Sequence, residues 1–141
     1  MTGTDKVFID TNVLIYFIDE ADEIKHSAAI KLIEKIIHLK NGIISTQSLQ
    51  EFFSAVTRKK ILEKEAAKEY VTKFANSFTV DQVTLPHIFG AIDISVRNKL
   101  SFWDSLILSS ADKSGCVVVY SEDLADGQLV NGVKVVNPFA A

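Results

Sequence analysis

Cysteine is almost missing from this chain. Cys116 stands alone, so neither an intrachain disulfide nor a multi-cysteine zinc site can form, and a reducing cytoplasm is the expected home. Proline occurs twice and glycine six times in 141 residues, too few for a linker-rich or low-complexity chain. No repeat or shift in composition divides it, so residues 1–141 are expected to form a single domain. Long apolar runs are missing too. The longest covers residues 13–18, far short of the ~20 residues a membrane span needs, and the opening from Met1 to Lys6 does not read as a secretory signal. No membrane association is expected.

Positive charge is also scarce. Fifteen basic residues face eighteen acidic ones, for a formal net charge of −3, and only Arg58 and Arg97 are arginines. A nucleic-acid binder working by bulk electrostatics has the opposite balance, so a polyanionic substrate would have to be drawn by a local patch or by bound cations. Arg58, Lys59 and Lys60 form the one basic cluster, which reads as a solvated helix C-terminus favoured by the helix dipole. His26, His38 and His87 lack metal-ligand spacing and read as surface or satisfied core residues. No G-x-G-x-x-G or P-loop motif occurs, which argues against nucleotide-cofactor chemistry.

What the chain does contain is alternation. Val7, Phe8 and Ile9 form a short apolar run that ends at Asp10, and Val13, Leu14, Phe17 and Ile18 follow at helical spacing. A long amphipathic helix is predicted from Ile24, with Ala28, Leu32, Ile36 and Leu39 on its apolar side, stopping near Asn41 and Gly42. Residues 43–45 read as a strand. Leu49, Phe52, Phe53 and Val56 mark a third helix, and residues 63–78 a fourth. Residues 80–85 alternate like a strand, Pro86 opens a helix to about Asn98, and residues 101–114 form another. Residues 116–120 are the most strand-like segment, and Val133, Val135 and Val136 suggest a last strand. Strands alternating with helices predict an α/β sandwich with a mainly parallel central sheet flanked by helices. In such sheets, sites lie beyond the carboxyl ends of the strands.

Asp10 directly follows the first strand, and Asp123 lies just after Tyr120 at the end of the most strand-like run. Glu51 and Asp104 fall in the first turns of helices, whose N-termini face the same sheet edge. Four carboxylates from four elements are therefore positioned to converge. Each also has a structural reading: Ser48 with Glu51 and Ser101 with Asp104 match capping boxes, Asp10 or Thr11 can cap a helix, and Asp123 can be a solvated loop acid. Asp104 is in phase with Ile107, Leu108 and Ala111, and a carboxylate on an apolar face needs a partner. Glu51 lies opposite its helix's apolar stripe, so periodicity alone leaves it on the surface. Four converging carboxylates stay ionised only with cations among them, since two charges 4 Å apart repel by roughly 4 kcal/mol at an effective dielectric near 20. Oxygen-only donors favour Mg²⁺ or Mn²⁺, the apparatus of phosphodiester hydrolysis.

Asp10, Thr11 and Asn12 after the first strand, Gln50 and Glu51 at mid-chain, Phe102, Trp103, Asp104 and Ser105 opening a helix, and Tyr120 to Leu124 after the long strand resemble a PIN domain. More narrowly, the chain is similar to VapC-like toxins of prokaryotic toxin–antitoxin modules, over nearly its whole length. The resemblance implies a three-layer sandwich and Mg²⁺- or Mn²⁺-dependent endoribonuclease activity that leaves 5′-phosphate and 3′-hydroxyl ends. It implies Asp10, Glu51, Asp104 and Asp123 as metal-binding, catalytic acids, with Thr11, Asn12 and Ser121 positioning them. Asp126 is a candidate to share or take the place of Asp123, and Asp93 is a candidate assisting acid. An RNA substrate, a cognate antitoxin covering the cleft and a homodimer are the implied partners. Trp103 is a candidate for stacking RNA bases. A haloacid-dehalogenase-like phosphatase would need a second Asp at position 12, which is Asn, and a receiver domain would need paired early acids. The alternative is an inert PIN-like module that binds RNA or protein without cutting.

Overall fold

The computed structural model describes residues 3–140; Met1 and Thr2, part of the opening segment read above, lie outside the described residues. The elements run β1 (Val7–Ile9), α1 (Thr11–Ile18), α2 (Glu23–Leu39), β2 (Gly42–Ser45), α3 (Thr46–Arg58), α4 (Lys64–Ser77), β3 (Thr79–Asp81), α5 (Leu85–Asn98), α6 (Phe102–Lys113), β4 (Val118–Tyr120), β5 (Leu129–Val130) and β6 (Val133–Val136). Among the described residues they build one six-stranded sheet in the order β3-β2-β1-β4-β6-β5. Every pairing is parallel except β5 against β6.

Side chains alternate across a strand, and here both faces are apolar, as a covered parallel sheet requires. Val7, Ile9, Ile44, Val118 and Tyr120 face a core closed by α1, α2, α3 and α4. Phe8, Ile43 and Val119 face a second core closed by α5 and α6. The result is the expected three-layer α/β sandwich. Successive strands step outward from β1 to β2 and β3, and the chain then crosses back to place β4 on the other side of β1. The carboxyl ends of β1 and β4 therefore flank the point where strand order reverses, the usual place for a crevice.

Several local expectations need correction. The α2 helix ends one residue earlier than expected, on Lys40, which takes the left-handed conformation (φ 56°). Gly42 instead begins β2, because a Cβ there would come within 2.5 Å of Ile36 and 2.7 Å of Phe78. The buried row of α2 is Ala29, Ile33 and Ile36, shifted from the Ala28 and Leu32 positions. Phe53 is exposed, so the apolar stripe of α3 narrows to Phe52 and Val56, with Leu49 partly buried. The strand placed at 80–85 is only β3, since Thr84 already caps α5 with Pro86 in its first turn. The strand placed at 116–120 begins at Val118. β5 went unforeseen, although Asn131 and Gly132 (φ 50° and 83°) form the two-residue turn joining it to β6. An Asn-Gly pair with both residues at positive φ is the strongest short-range hairpin signal.

Along α5, Leu85, Phe89, Ile92 and Val96 are exposed at the four-three-four spacing of a coiled-coil seam. His87, Ala91 and Ile94 are the residues α5 buries.

Candidate functional site

Asp10 ends β1 and caps α1. It is buried, and its two oxygens accept hydrogen bonds from the Thr11 amide and the Ser121 hydroxyl, each at 2.7 Å. The position is fixed from β4 as well, since the Asp10 amide donates to the Tyr120 carbonyl (3.0 Å). Burial pushes the Asp10 carboxyl up to about 7; the bonds from Ser121 and Thr11 oppose that rise, and the charges of Glu51 and Asp123 add to it.

Two neighbours tie the other acids to this centre. The Thr11 hydroxyl donates to Glu51 Oε2 (3.2 Å). The Asn12 amide donates to Asp123 Oδ2 (3.2 Å) and to Ser121 Oγ (3.4 Å), while the Asp123 amide donates to Ser121 Oγ (3.2 Å). Asp10, Glu51 and Asp123, from three separate elements, are thus brought to the carboxyl ends of β1 and β4 through Thr11, Asn12 and Ser121.

Glu51 is not the plain surface residue that periodicity suggests, nor part of a capping box with Ser48. The box is formed by Ser45 and Ser48 at the start of α3. Glu51 Oε1 instead accepts from Gln47 Nε2 at 2.6 Å. Gln47, which the sequence reading missed, is buried and also donates to the Trp103 carbonyl (3.2 Å). It therefore stitches α3 to the first turn of α6, beside Asp104. The Gln47 carbonyl oxygen is buried with no hydrogen-bond partner.

Asp104 is partly buried. Its amide donates to the capping hydroxyl of Ser101 (3.2 Å), but its carboxylate has no hydrogen bond or ion pair among the described residues. Among the described residues no hydrogen bond joins it to the other three acids. Asp126 has a different partner: it accepts from the Asn137 amide (2.9 Å) and anchors the C-terminal turn. Asp93 is paired with Arg97 on α5 (3.2 Å). His87 is buried, bonded to Thr84 through Nδ1 and to Asp81 through Nε2 (2.8 Å). The Cys116 thiol, buried, is pushed up to about 12. Trp103 is exposed rather than core, its ring edge-on to Phe102 at 5.0 Å.

The cluster opens on a cleft of about 550 Å³ whose lining includes Glu51, Glu122 and Asp123 together with Arg58 and Lys59. Glu122 is neutralised by Lys25 (2.5 Å) and receives the Tyr16 hydroxyl (3.0 Å). Glu51 and Asp123 have no cationic partner among the described residues. The donors are carboxylates, hydroxyls and amide oxygens, with no His or Cys, and that chemistry fits a hard divalent cation. The orphaned Gln47 oxygen is a further acceptor beside them. Among the described residues, no three acidic, His or Cys side chains stand close enough to hold a metal ion as placed.

The family model described as "PIN domain" matches residues 7–125. Among solved structures, VapC20 of Mycobacterium tuberculosis, described as a toxin cleaving the sarcin–ricin loop, shares 20% identity at a TM-score of 0.66, over 84% of this chain and 90% of that one. VapBC2 of Rickettsia felis, bound to a fragment of promoter DNA, shares 15% identity at a TM-score of 0.69, over 92% and 96%. DNA-bound VapBC of Salmonella typhimurium shares 20% at 0.68, also over 92% and 96%. No curated protein matches the sequence.

Proposed function

Because this chain belongs to the PIN domain family and has the fold seen in VapC toxins, we propose that it is a divalent-metal-dependent endoribonuclease, the toxin of a toxin–antitoxin pair, acting as one domain over its whole length. The observation that carries this reading is the junction of Asp10, Glu51 and Asp123 through Thr11, Asn12 and Ser121 at the sheet's crossover. A buried carboxylate surrounded by two more is under electrostatic strain that a cation relieves.

In this reading Asp10, Glu51 and Asp123 hold the ion, with Asp104 as the fourth acid at the mouth of α6. When bound, Mg²⁺ or Mn²⁺ lowers the pKa of a water and neutralises charge on the phosphate. Ser121 and the Thr11 amide fix both oxygens of Asp10, so the carboxylate needs no reorganisation to serve. Thr11 and Gln47 each hold one oxygen of Glu51. Asn12 does the same for Asp123. Trp103, exposed beside this edge, is available to stack a base. The products would bear 5′-phosphate and 3′-hydroxyl ends.

The proposed partners are RNA, a cognate antitoxin that covers the cleft, and a second copy of the chain; the exposed apolar row of α5 supports the last. A cytoplasmic location is proposed with them, and no helix among the described residues is long and apolar enough to cross a membrane.

The test is cleavage of single-stranded RNA with Mg²⁺ or Mn²⁺. Asp10→Asn and Asp104→Asn should each lower the rate by on the order of 10²-fold or more while circular dichroism shows an unchanged fold. Full activity in either variant refutes the assignment of that acid. A binding-only module is favoured by the acids standing apart as placed. It predicts no shift in melting temperature with Mn²⁺, whereas the nuclease reading predicts a rise that Asp10→Asn abolishes.

A further inference from the structure

The three consecutive cations Arg58, Lys59 and Lys60 divide between two surfaces. Arg58 and Lys59 line the cleft that also contains Glu51 and Asp123. Lys60, in the left-handed conformation (φ 56°), lines a separate depression near the start of α4. The division follows from helix geometry. Glu51 and Arg58 lie seven residues apart on α3, two turns along one face, a rise of about 10 Å. Gln50, Ser54 and Arg58 repeat every four residues on α3 and line the cleft together with Glu51 and Ala55, so this stretch of the helix leads from the acid Glu51 to two positive charges at its C-terminal end.

Neither Arg58 nor Lys59 has a carboxylate partner among the described residues, whereas the chain's other arginine, Arg97, is paired with Asp93. In a protein of net charge −3, its one unpaired arginine therefore faces the cleft that contains the acids. A free guanidinium next to a free ammonium fits a phosphate oxygen better than any neutral group does.

We propose that Arg58 and Lys59 form the backbone-phosphate rail of this cleft, seating a single RNA strand so that its next phosphates lie along α3 while the phosphate to be cut lies at the acids. The proposal rests on the nuclease reading and names the residues that bind the strand rather than cut it. It also resolves the charge problem of the sequence. Attraction of a polyanion to an acidic chain becomes local, and sequence-independent as phosphate contacts are.

The experiment is fluorescence anisotropy with a labelled single-stranded RNA in EDTA, repeated across a salt series, on the wild type and on the pair Arg58→Gln and Lys59→Gln. Removing two phosphate contacts should weaken binding roughly tenfold near 0.1 M salt and reduce the slope of log K against log salt by about 1.4, at ~0.7 per contact for single strands. Lys60→Gln serves as the control and should change neither. The Mn²⁺-induced rise in melting temperature should survive in the double variant, which separates loss of the rail from loss of the metal site. An unchanged affinity and slope in the double variant overturns the proposal, even if its melting temperature falls as a purely dipole-complementing role would require. A wild type with no RNA affinity at low salt also overturns it. A wild type that binds through Arg58 and Lys59, yet cuts nothing in Mg²⁺ or Mn²⁺, upholds the rail and ends the nuclease reading alone.

Discussion

Burial raises the Asp10 carboxyl from its usual 3.8 to about 7, and the metal-free protein should display it. Between those values the folded state retains a proton that the unfolded chain has released, so the Asp10 contribution makes stability fall as pH climbs from about 4 to about 7. Above 7 the charge is buried at full cost. Asparagine in its place carries no charge, so in EDTA Asp10→Asn should equal the wild type near pH 4 and exceed it above pH 7, by at most about 4 kcal/mol at 1.36 kcal/mol per pKa unit. Urea unfolding of both proteins from pH 4 to 8 measures the difference; parallel curves would refute it. Asp10 and Asp123 were legible in the sequence because one directly follows an apolar run and the other comes three residues after the end of one, and residues just past a strand lie at the sheet edge. Glu51 was less so. The face of α3 that meets Thr11 is polar, and hydrophobic periodicity has no signal there. Gln47 was illegible for the same reason: what it bonds depends on how α6 docks, which no local pattern encodes.

At the level of elements, α3 and α6 meet at the site through one amide. Gln47 Nε2 bridges Glu51 and the Trp103 carbonyl, while its own oxygen stays unsatisfied. Gln47→Leu keeps the volume, removes both bonds and also removes the orphaned acceptor, so stability should change by less than the roughly 1–3 kcal/mol of an ordinary buried hydrogen-bond loss. Metal affinity should still drop by about 10–100-fold, the usual effect of losing a residue that orients a ligand. A Mn²⁺ titration followed by thermal shift checks both at once. Helices of this chain could be read almost to their ends from spacing and caps. Leu129–Val130 could not: a strand of two residues leaves no periodicity to count, and Thr79–Asp81 was placed but drawn too long, because the alternation of residues 80–85 continues past the pairing with β2.

On the scale of the whole molecule, α5 exposes an apolar row among the described residues, Leu85, Phe89, Ile92 and Val96. A contiguous apolar surface of this kind marks an interaction site. If a second copy covers it, Phe89→Glu with Ile92→Glu should shift the sedimentation coefficient from dimer to monomer and leave the melting temperature of dilute protein unchanged; an unaltered dimer would relocate the interface. The α/β sandwich with a mainly parallel sheet was legible from alternation and its three layers from the family resemblance, but exposure of this row was not, since α5 is apolar on both sides. One further feature has consequences for how the protein can be shortened. The family match stops at residue 125, yet β6 comes later, pairs along the whole of β4, and accepts the Ser121 amide at Val136 (3.0 Å). A chain cut at residue 125 would leave β4 as a bare sheet edge, open to another chain, and would release one of the backbone bonds that holds Ser121 against Asp10. The end of the family match is therefore not the limit of cooperative folding, and expression trials should retain the final hairpin.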